Sequence, residues 1–199
     1  MKKSMILALA LSLFSSSAIA QSYNDSILQF RKNYEEEFLK DQNSPLKASD
    51  LKNLRFYAPN IRYRVKASFT RTPEAKAFAM RTHANRDKTY RQYGILSFRI
   101  NDTLLTLHIY QSIGNAKAPE DYLFIPFTDL TNYEETFAGG RYIDLTTSDL
   151  HNNEFILDFN KCYNPYCAYA DGYACPIPPD ENSLKVHIFA GEKLFDSKN

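Results

Sequence analysis

Two periodicities divide the chain. Over residues 24–40, Ile27, Phe30, Tyr34 and Phe38 recur at steps of three and four, which lines one apolar stripe along a helix. Asn24 or Asp25 offers an N-cap, while Glu35, Glu36 and Glu37 fall on a solvated face. Asn43, Ser44 and Pro45 end the helix, and 49–54 reads as a short helix or turn. From residue 61 the period becomes two. Tyr63, Val65, Ala67 and Phe69 alternate with Arg62, Arg64, Lys66 and Ser68, the mark of a half-buried strand over 61–70. A weaker strand follows at 75–80, and then a polar, basic stretch at 81–91 that reads as a loop or ribbon. Apolar runs at 94–100 and 104–111 flank Asn101, Asp102 and Thr103, a hairpin signal. Further strands are predicted at 122–127, 141–145, 154–159 and 184–190. Short strands with frequent turns and one leading helix predict a mainly β (α+β) fold, an antiparallel β-barrel or sandwich with one N-terminal helix.

Composition narrows the class. The chain has 199 residues, enough for one well-cored domain, and its 14 Tyr and 14 Phe exclude a disordered chain. Near balance of 24 Lys+Arg against 23 Asp+Glu argues against nucleic acid as a partner. Residues 1–20 carry the signature of a signal peptide. Lys2 and Lys3 precede a short apolar stretch, and Ala18, Ile19 and Ala20 form the small-x-small cleavage pattern. The expectation is a periplasmic or secreted location, a single domain over 21–199, and no membrane span in the mature chain. An oxidising compartment permits a disulfide among Cys162, Cys167 and Cys175; Cys167–Cys175 and Cys162–Cys175 are both open on spacing alone. The spacing matches no metal set, and no cofactor is implied.

Candidate chemistry gathers in the last third. Gly139 and Gly140 form a pair that lets backbone approach a ligand or makes a turn, and Arg141 behind it offers a planar fork for an anion or for a neighbouring Asp. Asp158 closes an apolar strand, where a carboxylate needs a donor. Asn160 and Asn164 share its loop with Tyr163, Tyr166, Tyr169 and Tyr173, a composition suited to a polar pocket walled by aromatics or to a loop that is braced internally. His83, His108, His151 and His187 show no ligand spacing, and no G-x-S-x-G occurs.

The runs YLFIPFTDLT (122–131), GGRYIDL (139–145), ILDFNKCYNPYCAY (156–169), YACPIPPDENSL (173–184) and AGEK (190–193) resemble the uncharacterised bacterial and archaeal DUF1684 family. YRVKASFTRT (63–72) and TYRQYGILSF (89–98) extend the likeness over nearly all the chain behind the leader. The resemblance brings no activity. It implies that Asp129, Glu135, Arg141, Asp158, Asn160, Asn164, Cys167, Cys175 and Asn182 belong to a shared pattern. Cys162 stands where that pattern has Ala, so Cys167–Cys175 is the implied bridge and Cys162 the odd thiol.

Three functions fit. The leading one is an exported domain that binds a small polar or anionic ligand in a pocket built from the C-terminal third, with Arg141, Asp158, Asn160 and Asn164 as ligand-binding residues in one site. A hydrolase would use Asp129, Glu135 or Asp158 as general base with Arg141 as clamp. An interaction module would present a strand or the Tyr-rich loop to a partner protein.

Overall fold

The structure, a computed structural model, describes residues 2–115, 118–150 and 153–196, with side chains from residue 21 onward. His151 lies outside the described residues. A helix, α1 (Lys2–Lys40), precedes seven strands: β1 (Arg64–Arg71), β2 (Ala77–Met80), β3 (Lys88–Ile100), β4 (Thr103–Ser112), β5 (Tyr122–Phe127), β6 (Arg141–Thr146) and β7 (Glu154–Asp158). They form one antiparallel sheet in the order β6-β5-β4-β3-β1-β7, with β2 paired to β3. The sheet curls into a half-barrel.

Alternation explains the curl and the core. Leu96, Phe98, Leu107, Ile109, Ile143 and Leu157 point to the concave side and are nearly or fully buried. The two-residue turn at Asn101 and Asp102 joins β3 to β4, with Asn101 at φ 51° and Ile100 paired with Thr103. β5 is buried on both faces. Leu123, Ile125 and Phe127 enter the main core, whereas Phe124 joins Met80, Tyr90, Tyr110 and Tyr142 in a second cluster on the other side of the sheet. That second face floors the site described below.

The basic stretch 81–91 combines a loop with a ribbon, since β3 already starts at Lys88 and pairs there with Met80. Two expectations are corrected. The helix does not begin at Asn24 or Asp25; it runs unbroken from Lys2, because no Gly or Pro interrupts residues 2–40. No strand forms at 184–190. Its burial alternates as a strand's would, with Leu184, Ile188 and Ala190 inside, and Leu184 N–H and the Val186 carbonyl pair with the backbone of Thr128 and Leu130, but beyond them side chains take its backbone groups. Ile188 N–H donates to Asp129 Oδ1, and the carbonyls of Ile188 and Ala190 accept from the Arg141 guanidinium. Those groups are therefore not free to build a ladder.

Candidate functional site

Between α1, the outer face of β5 and β6 and the loop 159–176 lies an open cleft of about 850 Å³. β6 supplies its centre. Ile143 and Leu145 turn into the core, so period two sends Tyr142 and Asp144 to the opposite face, where Asp144 sits directly across from Phe124 on β5. Tyr163 is fixed beside them by a reciprocal backbone pair with Tyr142, at 2.9 and 3.0 Å, which covers the outer edge of β6. The aromatic walls are continuous. Tyr90 packs on Phe124 at 5.0 Å, Phe124 on Tyr142 at 5.7 Å, Tyr142 on Tyr163 at 6.0 Å and Tyr163 on Tyr34 of α1 at 5.6 Å.

Asp144 is the polar centre of this cleft. The hydroxyls of Tyr163 and Tyr122 donate to its Oδ1 at 2.7 and 2.8 Å, and among the described residues no hydrogen bond or ion pair engages Oδ2. Enclosure by the rings raises its pKa, the two hydroxyls pull it back down, and the like charge of Glu37 raises it further. Tyr122 and Tyr163 are held firmly as hydroxyl donors, each pushed up first by burial and then by Asp144. Sequence reasoning passed over Asp144. The available signal was a lone carboxylate inside the otherwise apolar strand 141–145, but its face depends on pairing with β5.

Arg141 lies elsewhere. It is fully buried, its Nη2 2.6 Å from Asp129 Oδ2, and it also donates to the carbonyls of Ala190, Ile188 and Glu192. Asp129 Oδ1 is filled by the Thr131 amide and hydroxyl. This pair is an internal brace, and an anion has no path to either member. Gly140 serves the same packing. At φ 87° it turns the chain against β5, and a Cβ there would meet the Phe127 carbonyl at 2.5 Å. The reading of Arg141 as an anion holder or catalytic clamp, and of Asp129 as general base, is corrected on this geometry.

The other expected site residues also serve the chain itself. Asp158 accepts from the Tyr23 hydroxyl at 3.0 and 3.1 Å and from the Asn160 amide at 3.0 Å, with Arg64 at 4.0 Å. No hydrogen bond or ion pair joins it to Arg141 among the described residues, so those two do not form the single site expected of them. Asn160 exchanges hydrogen bonds with the Asn60 backbone, and Asn164 donates to the Lys193 carbonyl. Asn182 inserts between β4 and β5, bonding His108 N–H and the carbonyls of His108 and Pro126. Such buried amides replace ladder bonds that irregular backbone cannot make. Glu135, at the surface, accepts from Tyr57 at 3.0 Å and Lys193 at 3.1 Å, which hold its pKa low and leave it a poor base.

Two further buried groups complete the C-terminal region. Glu192 has no exposure, and among the described residues its carboxylate accepts only from uncharged donors: Tyr169 at 2.7 Å, the Asn164 amide at 2.8 Å and Tyr34 at 3.2 Å. Burial pushes its pKa up to about 7. Cys167 and Cys175 are joined as a disulfide, and Cys162 is free and buried. Burial raises the Cys162 thiol to about 11 even beside Arg141. Among the described residues, no His, Cys, Asp and Glu group could hold a metal ion, and no helix is long and apolar enough to cross a membrane.

A family model described as "Protein of unknown function (DUF1684)" matches residues 49–193. Among solved structures, the solution NMR structure of an uncharacterized protein of Haloarcula marismortui is similar, at 30% identity and a TM-score of 0.68. The match covers 90% of this chain and 99% of that one. No curated protein matches.

Proposed function

The chain belongs to the DUF1684 family, and on that premise we propose that this member is an exported protein that binds a small polar ligand in the aromatic cleft, with Asp144 as its anchor. One observation carries the reading. Both tyrosine hydroxyls converge on Oδ1 of Asp144, which lines the cleft, so the carboxylate is held in place with Oδ2 left without a partner among the described residues. A positioned, partly unsatisfied acceptor among apolar rings is the ordinary build of a small-molecule site. The cleft differs from the expected pocket in its parts. The C-terminal third supplies Tyr163, Tyr166 and Tyr173, but the helix and the middle strands supply the remaining walls. A thermal-shift screen of polar metabolites on the wild-type protein and on Asp144→Asn tests the reading. Ligands that raise Tm for wild type should lose their effect in the variant, which keeps an oxygen for the two tyrosines. Equal shifts in both proteins would move the site out of this cleft.

A further inference from the structure

We infer that the occupant of this cleft carries a cationic nitrogen, seated with its charge against Asp144. The inference rests on the cleft reading above and adds the ligand's charge. Four carboxylates border the cleft, Glu37, Asp144, Asp149 and Asp158, against the ammonium groups of Lys88 and Lys161. Two of the four are already occupied. Asp158 is taken by Tyr23, Asn160 and Arg64. Asp149 caps its own turn through the Thr146 amide and hydroxyl at 2.7 and 2.8 Å.

Asp144 has no such counter-charge. Among the described residues no ion pair reaches it, its hydrogen-bond donors are two neutral hydroxyls, and the charged side chain acting on it, Glu37, repels it. Lys161 is directed elsewhere, its ammonium 5.4 Å from the Phe30 ring centre. Water reaches Asp144, which is exposed in the open cleft, but within the protein its charge is met only by two hydroxyls and by the like charge of Glu37. An anionic occupant would worsen that balance and a neutral one would leave it unchanged, whereas a cation completes it.

The walls point the same way, on independent grounds. Phe124 stands opposite Asp144 in register, with Tyr142, Tyr163 and Tyr34 continuing the surface. Aromatic rings attract ammonium groups through the negative potential of their faces, and Tyr and Phe do so without the hydration that a polar wall would hold. The chemistry recognised is therefore a quaternary or primary ammonium on a small organic body.

The test uses choline, its neutral carbon isostere dimethylbutanol, and the matching carboxylate, titrated by calorimetry into wild type and Asp144→Asn. Choline should bind wild type, with dimethylbutanol weaker by roughly tenfold or more and the carboxylate silent. Asp144→Asn should erase the preference for choline. The wild-type comparison stands even if the variant does not fold. Equal binding of choline and dimethylbutanol, both lost in Asp144→Asn, overturns the cationic inference and leaves the cleft reading intact. Choline bound equally by both proteins overturns the two together, and no choline binding to wild type overturns the cationic inference.

Discussion

Replacing Arg141 by Met, which fills much of the same volume without charge, should destabilise the fold strongly. In the native protein the guanidinium neutralises Asp129 at 2.6 Å and donates to the carbonyls of Ile188, Ala190 and Glu192. Removing one member of a buried ion pair costs about 3–5 kcal/mol, because the other charge stays behind. The three carbonyls add to this, at about 1–3 kcal/mol for each that stays dry. The segment 186–192 forms no ladder, so it can open to water and relieve part of that addition. We therefore expect about 4–6 kcal/mol overall, a large share of the roughly 5–15 kcal/mol that a domain holds. Urea unfolding followed by far-UV circular dichroism reads the total, and hydrogen exchange at the Ile188 amide reads the local part. Amide protection at Ile188 should fall before the sheet unfolds. A loss under about 1 kcal/mol with Ile188 still protected would refute the brace and return Arg141 to the status of an available anion site.

Other substitutions and treatments separate the same roles. Asp144→Asn should leave stability unchanged or raise it at neutral pH: a carboxyl with a raised folded pKa is favourable below its unfolded value and loses that contribution as pH rises through the folded one, so removing it removes a cost. Cys162 should resist a thiol reagent at pH 8 in the native protein and react once urea unfolds it. Non-reducing peptide mapping should find Cys167 linked to Cys175, and reducing that bridge should cost about 2–3 kcal/mol, as expected for a short loop. Protein expressed with its own leader should be recovered outside the cytoplasm with Gln21 at its N-terminus; a product that retains Met1 would count against export.

Which parts of the molecule could be read in advance follows from where each hydrogen bond goes. Period two marked β1, and short runs bounded by turn residues marked the other six strands, since their backbone groups pair in ladders and their side chains face the core on one or both sides. The helical stripe of Ile27, Phe30, Tyr34 and Phe38 was legible for the same reason, because one face is buried. The segment 184–190 misled because it has a strand's burial but only a short backbone pairing with 128–130; its later bonds run to the side chains of Asp129 and Arg141, which are 50 or so residues away in sequence. Asn160 and Asn164 misled in a related way. An amide that stitches irregular backbone and an amide that binds a ligand have the same local sequence, and only the fold shows what they touch. Asp144 was missed because its importance depends on register, which sets it across from Phe124, and on a loop that brings Tyr163 to it.

Glu192 yields the last prediction, a loss of stability as pH rises from acid to neutral. The carboxyl is fully buried and meets Tyr34 of the helix, Tyr169 of the following loop and the Asn164 amide, none of them cationic. The nearby Arg141 bonds the Glu192 backbone carbonyl and is committed to Asp129, while Lys193 pairs with Glu135. Burial therefore outweighs the three donors and sets the folded pKa at about 7, above the ordinary 4.5 of a free glutamate. For a raised carboxyl the folded state binds more protons than the unfolded state between those two values. Stability from this group is then complete below about pH 4.5 and is lost progressively up to about pH 7, a change of about 3 kcal/mol. Glu192→Gln keeps the shape without the titration, so its stability should be flatter over that window and exceed wild type above it. Because Tyr34 carries one of the three donors, the wild-type loss should include weaker exchange protection along the second half of α1. Urea midpoints measured at half-unit steps from pH 4.5 to 8 decide the matter: parallel curves for wild type and Glu192→Gln would mean that water or a cation reaches the carboxylate.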